Sequence, residues 1–170
     1  MDRIMIVGAP GSGKSTLARA LGGRTGLPVI HMDHIHWEAG WIERPRAERA
    51  VIIAAHEAAP RWIIEGNFRA TTAARAGRAD LVVWLDLPLP LRLWRVLRRQ
   101  WTYRGRGRPD LPAGCEERLS LLPGFLLYML RTRGPYRREL EGTLGPAAGG
   151  KLVRLRSARA VRTFLDGVRP

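Results

Sequence analysis

The stretch Ile4-Met5-Ile6-Val7-Gly8-Ala9-Pro10-Gly11-Ser12-Gly13-Lys14-Ser15-Thr16 decides how the chain is read. Its first four residues are apolar and mostly β-branched, the run expected of a strand buried on both faces of a parallel sheet. The residues from Gly8 to Ser15 fit the pattern G-x-x-x-x-G-K-[ST], and a helix is expected to begin at Lys14. Between strand and helix the chain must turn sharply, and Gly8, Gly11 and Gly13 let successive backbone N–H groups converge on one point. Those groups add to the positive end of the helix dipole, so the segment Gly8–Thr16 predicts a cradle for the phosphates of a nucleoside triphosphate. In such a cradle Lys14 reaches the β and γ phosphates, and the Ser15 hydroxyl ligates the Mg²⁺ they carry.

The surrounding sequence sets the scale. The chain has 170 residues, 45% of them hydrophobic, which suits a single domain over 1–170 with a full core. No apolar run is long enough to cross a membrane, no secretory signal precedes the first strand, and Cys115 is the lone cysteine, so a cytoplasmic protein is expected. There are 29 basic and 15 acidic residues, for a net charge of +14. Only Lys14 and Lys151 are lysine, so a compositional preference for arginine has left the phosphate-loop position alone. This charge suits anionic nucleotides, an acidic surface or nucleic acid, but no zinc-finger spacing or aromatic RNA-reading motif accompanies it, so nucleic acid is not the favoured partner.

Strands and helices alternate along the chain, which predicts an α/β fold with a five-stranded parallel sheet in three layers. After Gly22 and Gly23 a second strand is expected through Val29 and Ile30 to about Met32. A helix is expected from Pro45 to Ala58 with Ala47, Ala50, Val51, Ala54 and Ala58 inward, followed by strands at Trp62–Ile64, Leu81–Leu85 and Leu152–Leu155. Ser157 is the expected N-cap of a last helix carrying Val161, Phe164 and Leu165. The insertion at about 88–146 is helical and arginine-rich, with a lid expected over Tyr103–Gly114. Within it, Leu121–Leu130 reads as a buried helix interrupted by Pro123 and Gly124.

The opening GAPGSGKST and this element order resemble the adenylate kinase group of P-loop phosphotransferases. The stretches GLPVIHMDHIHW, WIIEGNF, LVVWLDLP and GCEERLSLLPGF are similar to the DNA topology modulation (FlaR-type) proteins, a likeness covering almost the whole chain. The resemblance implies ATP as the phosphoryl donor, since no N-K-x-D guanine-reading segment is present, and a small-molecule or nucleotide acceptor. Asp33 falls at the carboxyl end of the second strand, where open sheets place ligand contacts; it either takes the acceptor's proton or caps the turn that follows. His31, His34 and His36 flank it, and alternation in an extended segment would put His34 and His36 on one face with His31 on the other. Trp37 and Trp41 wall the acceptor pocket or join the core. Glu65 occupies the place of the acid that, in the group, holds a Mg²⁺-bound water, with Asp86 ranked below it as a structural residue. Asn67 and Arg69 either contact the acceptor or serve the turn. Arg95 and Arg99, spaced i, i+4 on a helix, face the nucleotide together, and Arg131, Arg133, Arg137 and Arg138 are expected to complete a clamp around it. The competing reading is an ATP-binding regulatory protein that meets DNA or RNA through its basic surface.

Overall fold

The computed structural model describes residues 1–105, 110–116 and 119–168. The chain begins with β1 (Arg3–Gly8), α1 (Lys14–Thr25), β2 (Val29–His31), the five-residue helix α2 (Met32–His36), and a short hairpin of β3 (Trp37–Glu38) and β4 (Ile42–Glu43). It continues with α3 (Arg46–Ala58), β5 (Trp62–Glu65), α4 (Thr72–Arg78), β6 (Leu81–Leu85), α5 (Leu89–Thr102), α6 (Leu122–Ala148), β7 (Leu152–Leu155) and α7 (Ala158–Gly167). The five longer-range strands form one parallel sheet in the order β2-β5-β1-β6-β7. The expected fold class and all five expected strands are therefore present.

Why β1 is central follows from its side chains. Ile4, Met5, Ile6 and Val7 are fully buried, and alternate residues enter opposite layers. Met5 and Val7 join Ile53, Ala76, Leu140 and Leu144 beneath α3, α4 and α6. Ile4 and Ile6 join Leu17, Leu21 and Leu155 beneath α1, with Val161 and Phe164 of α7 beside them. Each such side chain contributes roughly 1.5–3 kcal/mol by leaving water, so this strand anchors both layers and holds the loop that leaves its end. At the last helix, the Ser157 hydroxyl accepts a hydrogen bond from the Ala160 N–H at 3.1 Å, the expected cap.

Three expectations are corrected. The inner face of α3 is Arg49 and Ile53 with Ile52 beside them, while Ala47, Ala50, Ala54 and Ala58 are exposed and Val51 is 71% exposed. Burying two isoleucines removes more apolar area from water than burying a row of alanines, and that decides the rotation of the helix. Second, residues 32–36 form a helix rather than continuing an extended strand, so the alternating-face argument for the three histidines does not apply. Third, Pro123 does not interrupt a buried helix. It lies in the first turn of α6, where a missing N–H costs nothing, and the helix is 27 residues long, with Leu127, Tyr128 and Leu130 at the surface and Leu121 exposed just before it. The expected lid falls partly on residues 106–109, outside the described residues. No helix among the described residues is long and apolar enough to cross a membrane.

Candidate active site

The segment between β1 and α1 closes on itself through the Ser12 N–H, which donates to the Ala9 carbonyl at 3.1 Å, and the Leu17 N–H, which donates to the Gly13 carbonyl at 3.0 Å. Gly11 has φ 75° and Gly13 φ 92°, left-handed values that glycine adopts without strain. Space dictates glycine as well: a Cβ on Gly11 would lie 2.5 Å from the Arg92 carbonyl oxygen, so α5 approaches the loop as closely as backbone allows. Asn67, just after β5, braces the loop from beneath; its Nδ2 donates to the Gly8 carbonyl at 2.9 Å and its Oδ1 accepts from the Gly8 N–H at 3.4 Å. This assigns Asn67 to the loop's support. Arg69 pairs with Glu139 of α6 at 2.7 Å.

A cavity of about 1040 Å³ opens over this loop, and Lys14, Ser15, Asp33, Arg49, Arg95 and Arg99 all lie on its wall. The volume is at the upper end for small-molecule sites and leaves room for two substrates side by side. Pro10 to Thr16 line it, whereas Gly8 and Ala9 do not. Inside the loop the Ser12 hydroxyl is buried and has no hydrogen-bond partner. A buried donor left in that state is costly unless a ligand takes it up, and a phosphate oxygen does so.

Asp33 is the second residue of α2, with His31 at the N-cap position, so it does not serve as the helix cap; its exposed side chain lines the cavity. Arg49 of α3, on the wall of the same cavity, is buried, its Nη1 2.6 Å from His36 Nδ1 and 2.7 Å from Glu43 Oε1. Burial, followed by the Arg49 charge, holds the His36 imidazole below its ordinary pKa, so its neutral ring accepts from the guanidinium. Trp37 and Trp41 meet edge to face at 5.4 Å and line the same cavity. Trp41 adopts φ 65°, rare for a bulky residue, and its indole N–H donates to the Glu116 carbonyl at 3.0 Å. Cys115 Sγ reaches the Glu38 carbonyl at 3.2 Å and is fully buried, which ties residues 110–116 to the hairpin as a structural contact.

The two expected arginines of α5 both lie on the cavity wall. Arg95 Nη1 donates to the Ser12 carbonyl at 2.8 Å, and Arg99 lies over the Phe125 ring at 5.8 Å. Arg98 lines the same cavity and lies over the Trp94 ring at 5.5 Å. Glu65 is 2% exposed and stands behind the wall, its Oε1 2.7 Å from His31 Nδ1. Asp86 is held by Arg154 through contacts of 2.7 and 3.0 Å, the structural role expected of it. Arg133 and Arg137 do not join the clamp expected of them; they line a different cavity. The sequence reading also missed Arg49, because an arginine among alanines on an amphipathic helix resembles a solvated residue. Its signal was the neighbouring pair of isoleucines, which turn that face inward.

Residues 4–80 match the family model described as ATPase family associated with various cellular activities (AAA). A shikimate kinase of Paracidovorax citrulli (strain AAC00-1) is 30% identical over 186 residues, spanning 98% of this chain and 94% of that protein. The chain belongs to the P-loop kinases. The kinase fold matches solved structures at lower identity. Shikimate kinase from Acinetobacter baumannii in complex with shikimate superposes with a TM-score of 0.59 at 22% identity, over 98% of this chain and 89% of that one. Deoxyadenosine kinase from M. mycoides with bound dATP gives 0.57 at 13% identity, over 96% and 95%. As a P-loop kinase the enzyme is a phosphotransferase.

Proposed function

We propose that this kinase transfers the γ-phosphoryl group of ATP to a hydroxyl of a small anionic acceptor held between Asp33 and Arg49, in the cytoplasm. The observation that carries the reading is that a single cavity is lined by the phosphate loop, by Asp33 and by the guanidinium groups of Arg49, Arg95 and Arg99. Phosphoryl transfer asks little covalent chemistry of a protein; it asks for alignment, cations around the migrating group and exclusion of water. Lys14 and the loop N–H groups hold the β and γ phosphates. The acceptor oxygen bonds to the γ phosphorus as the bond to the bridging oxygen breaks, ADP leaves, and the hydroxyl proton passes to the Asp33 carboxylate. Arg95, fixed to the Ser12 carbonyl, and Arg99 offset the charge that spreads over the transferring group. Oxygen donors suit Mg²⁺, and Ser15, with Glu65 acting through a water, is the set that would hold the ion; when bound, it would neutralise phosphate charge. Arg49 suits a carboxylate or a phosphate ester, and Trp37 with Trp41 offer an apolar wall for the rest of the acceptor. Within the P-loop kinases, the stretches GLPVIHMDHIHW and GCEERLSLLPGF support kinship with the topology modulation (FlaR-type) group.

The test is a coupled ADP-release assay with Mg·ATP against shikimate and other hydroxylated acids, nucleosides and nucleoside monophosphates, with Lys14→Ala as the blank. One acceptor should stimulate turnover, and the variant should lose roughly 100- to 1,000-fold or more. Tight ATP binding with no stimulation by any acceptor overturns the transfer reading.

A further inference from the structure

A second cavity, of about 520 Å³, shares no lining residue with the first. It lies between the start of α5 and the middle of α6, and touches the phosphate loop only at Ala9. Its wall carries Arg92, Arg133, Arg137 and Arg156 against a single carboxylate, Asp86. That carboxylate is already engaged by Arg154 at 2.7 Å and by Arg137 at 3.5 Å, and Arg137 turns also to Glu141. Arg133 and Arg156 are exposed and form no ion pair among the described residues, so the cavity holds an excess of positive charge.

A buried, under-satisfied arginine adds to that charge. Arg92 is 5% exposed, and its Nε is buried with no hydrogen-bond partner; its side chain makes a long contact, Nη1 to the Pro10 carbonyl at 3.5 Å. Burial holds its pKa below the ordinary arginine value, against the opposing pull of the Asp86 carboxylate. Beside it α5, a helix of 14 residues with Pro88 at its N-cap, has no side-chain cap and no acidic residue in its first turn; Pro90 carries no N–H, so the open first-turn donors are the Leu89 and Leu91 amides, and Leu89 lines the cavity. The rest of the wall is apolar or aromatic, with Leu87 and Tyr136, whose phenol is kept protonated by burial.

We propose that this cavity is a second anion site, separate from the substrate cavity, which takes a small phosphate-bearing ligand. The phosphate sits among Arg92, Arg133 and Arg156 at the start of α5, and any organic part lies on Leu87 and Tyr136. Occupancy is felt by the phosphate loop, because Arg92 is one residue with two faces. Its guanidinium borders the cavity and reaches the Pro10 carbonyl, while its own carbonyl oxygen is where a Cβ on Gly11 would collide. Linkage then requires that the ligand change nucleotide affinity and that the nucleotide change the ligand's affinity by the same factor.

The experiment titrates the full chain, saturated with ADP so that the phosphate loop is filled, with inorganic pyrophosphate and with phenyl phosphate, followed by calorimetry. Each probe is expected to bind at one site, and Arg133→Ala/Arg156→Ala should weaken it about tenfold or more by removing two charge-assisted contacts. ADP affinity of that variant in the absence of probe should be unchanged, and Arg133→Lys/Arg156→Lys should recover part of the probe affinity. Tighter binding of phenyl phosphate identifies a phosphorylated organic ligand; tighter binding of pyrophosphate identifies an inorganic one. No binding to the ADP-loaded protein, or equal binding to the double variant, overturns the proposal, the latter because the anion is then held by the general basic surface.

Discussion

Asp33 stands among the cavity-lining side chains near the loop as a carboxylate on a five-residue helix, and its role can be separated from that of Lys14 by a single substitution. Asp33→Asn keeps size and hydrogen bonding but removes proton uptake. Turnover with the identified acceptor is expected to fall roughly 100- to 10,000-fold while ATP affinity, measured by calorimetry, stays within a few-fold. A loss confined to ATP affinity would make Asp33 a nucleotide contact and not a base. The phosphate loop was legible residue by residue, because phosphate chemistry constrains glycine, lysine and hydroxyl to fixed offsets. That Arg95 and Arg99 share one face of a helix was legible from their spacing; contact with the nucleotide was what the family resemblance implied. Arg49 and Asn67 were not, because what makes each important is a partner distant in sequence or masked by composition: Asn67 is set by Gly8, 59 residues earlier. Lys151 was equally opaque; its ammonium donates to the carbonyls of Gly77 and Ala79 at 3.2 and 3.1 Å, at the end of α4.

At the scale of elements, buried parallel strands were easiest to read because they are continuous apolar runs, and helix faces were hardest. In α3 the alanine stripe and the isoleucine pair point to different rotations, and only packing against Met32, Ile64 and Trp62 selects the second. This makes a stability prediction with an internal control. Ile53→Ala, at a site 1% exposed, should cost about 2–5 kcal/mol, whereas Val51→Ala, 71% exposed, should stay within about 0.5 kcal/mol. Urea midpoints at constant slope report both. Equal costs would mean that α3 is rotated from the orientation described. The five-residue α2 and the β3–β4 hairpin escaped the reading for another reason: two-residue strands carry no periodicity, and their conformation is fixed by docking against residues 110–116.

For the molecule as a whole, a charge of +14 on 170 residues sets a repulsive background that its ion pairs only partly offset. Some of those pairs are exposed on both sides, as with Arg61 and Asp2 at 3.3 Å or Arg24 and Asp166 at 3.5 Å, and such pairs contribute about 0–1 kcal/mol each. The excess arginines lie on α5, which has four and no acidic residue, and around the second cavity, so like charges face one another over the distances that salt screens best. The Debye length falls from about 10 Å at 0.1 M to about 3 Å at 1 M salt, weakening repulsion between surface charges more than attraction within close pairs. Raising NaCl across that range should therefore stabilise the fold, by about 1 kcal/mol, or a rise in Tm of about 2–4 °C for a chain of this size. Chloride is the anion to use, since sulfate or phosphate would add direct binding at the loop to the screening effect. A Tm that falls with salt would mean that the paired charges outweigh the unpaired ones, and the arginine-rich surface would then have to be counted as a stabilising network instead of as charge held ready for an anionic ligand.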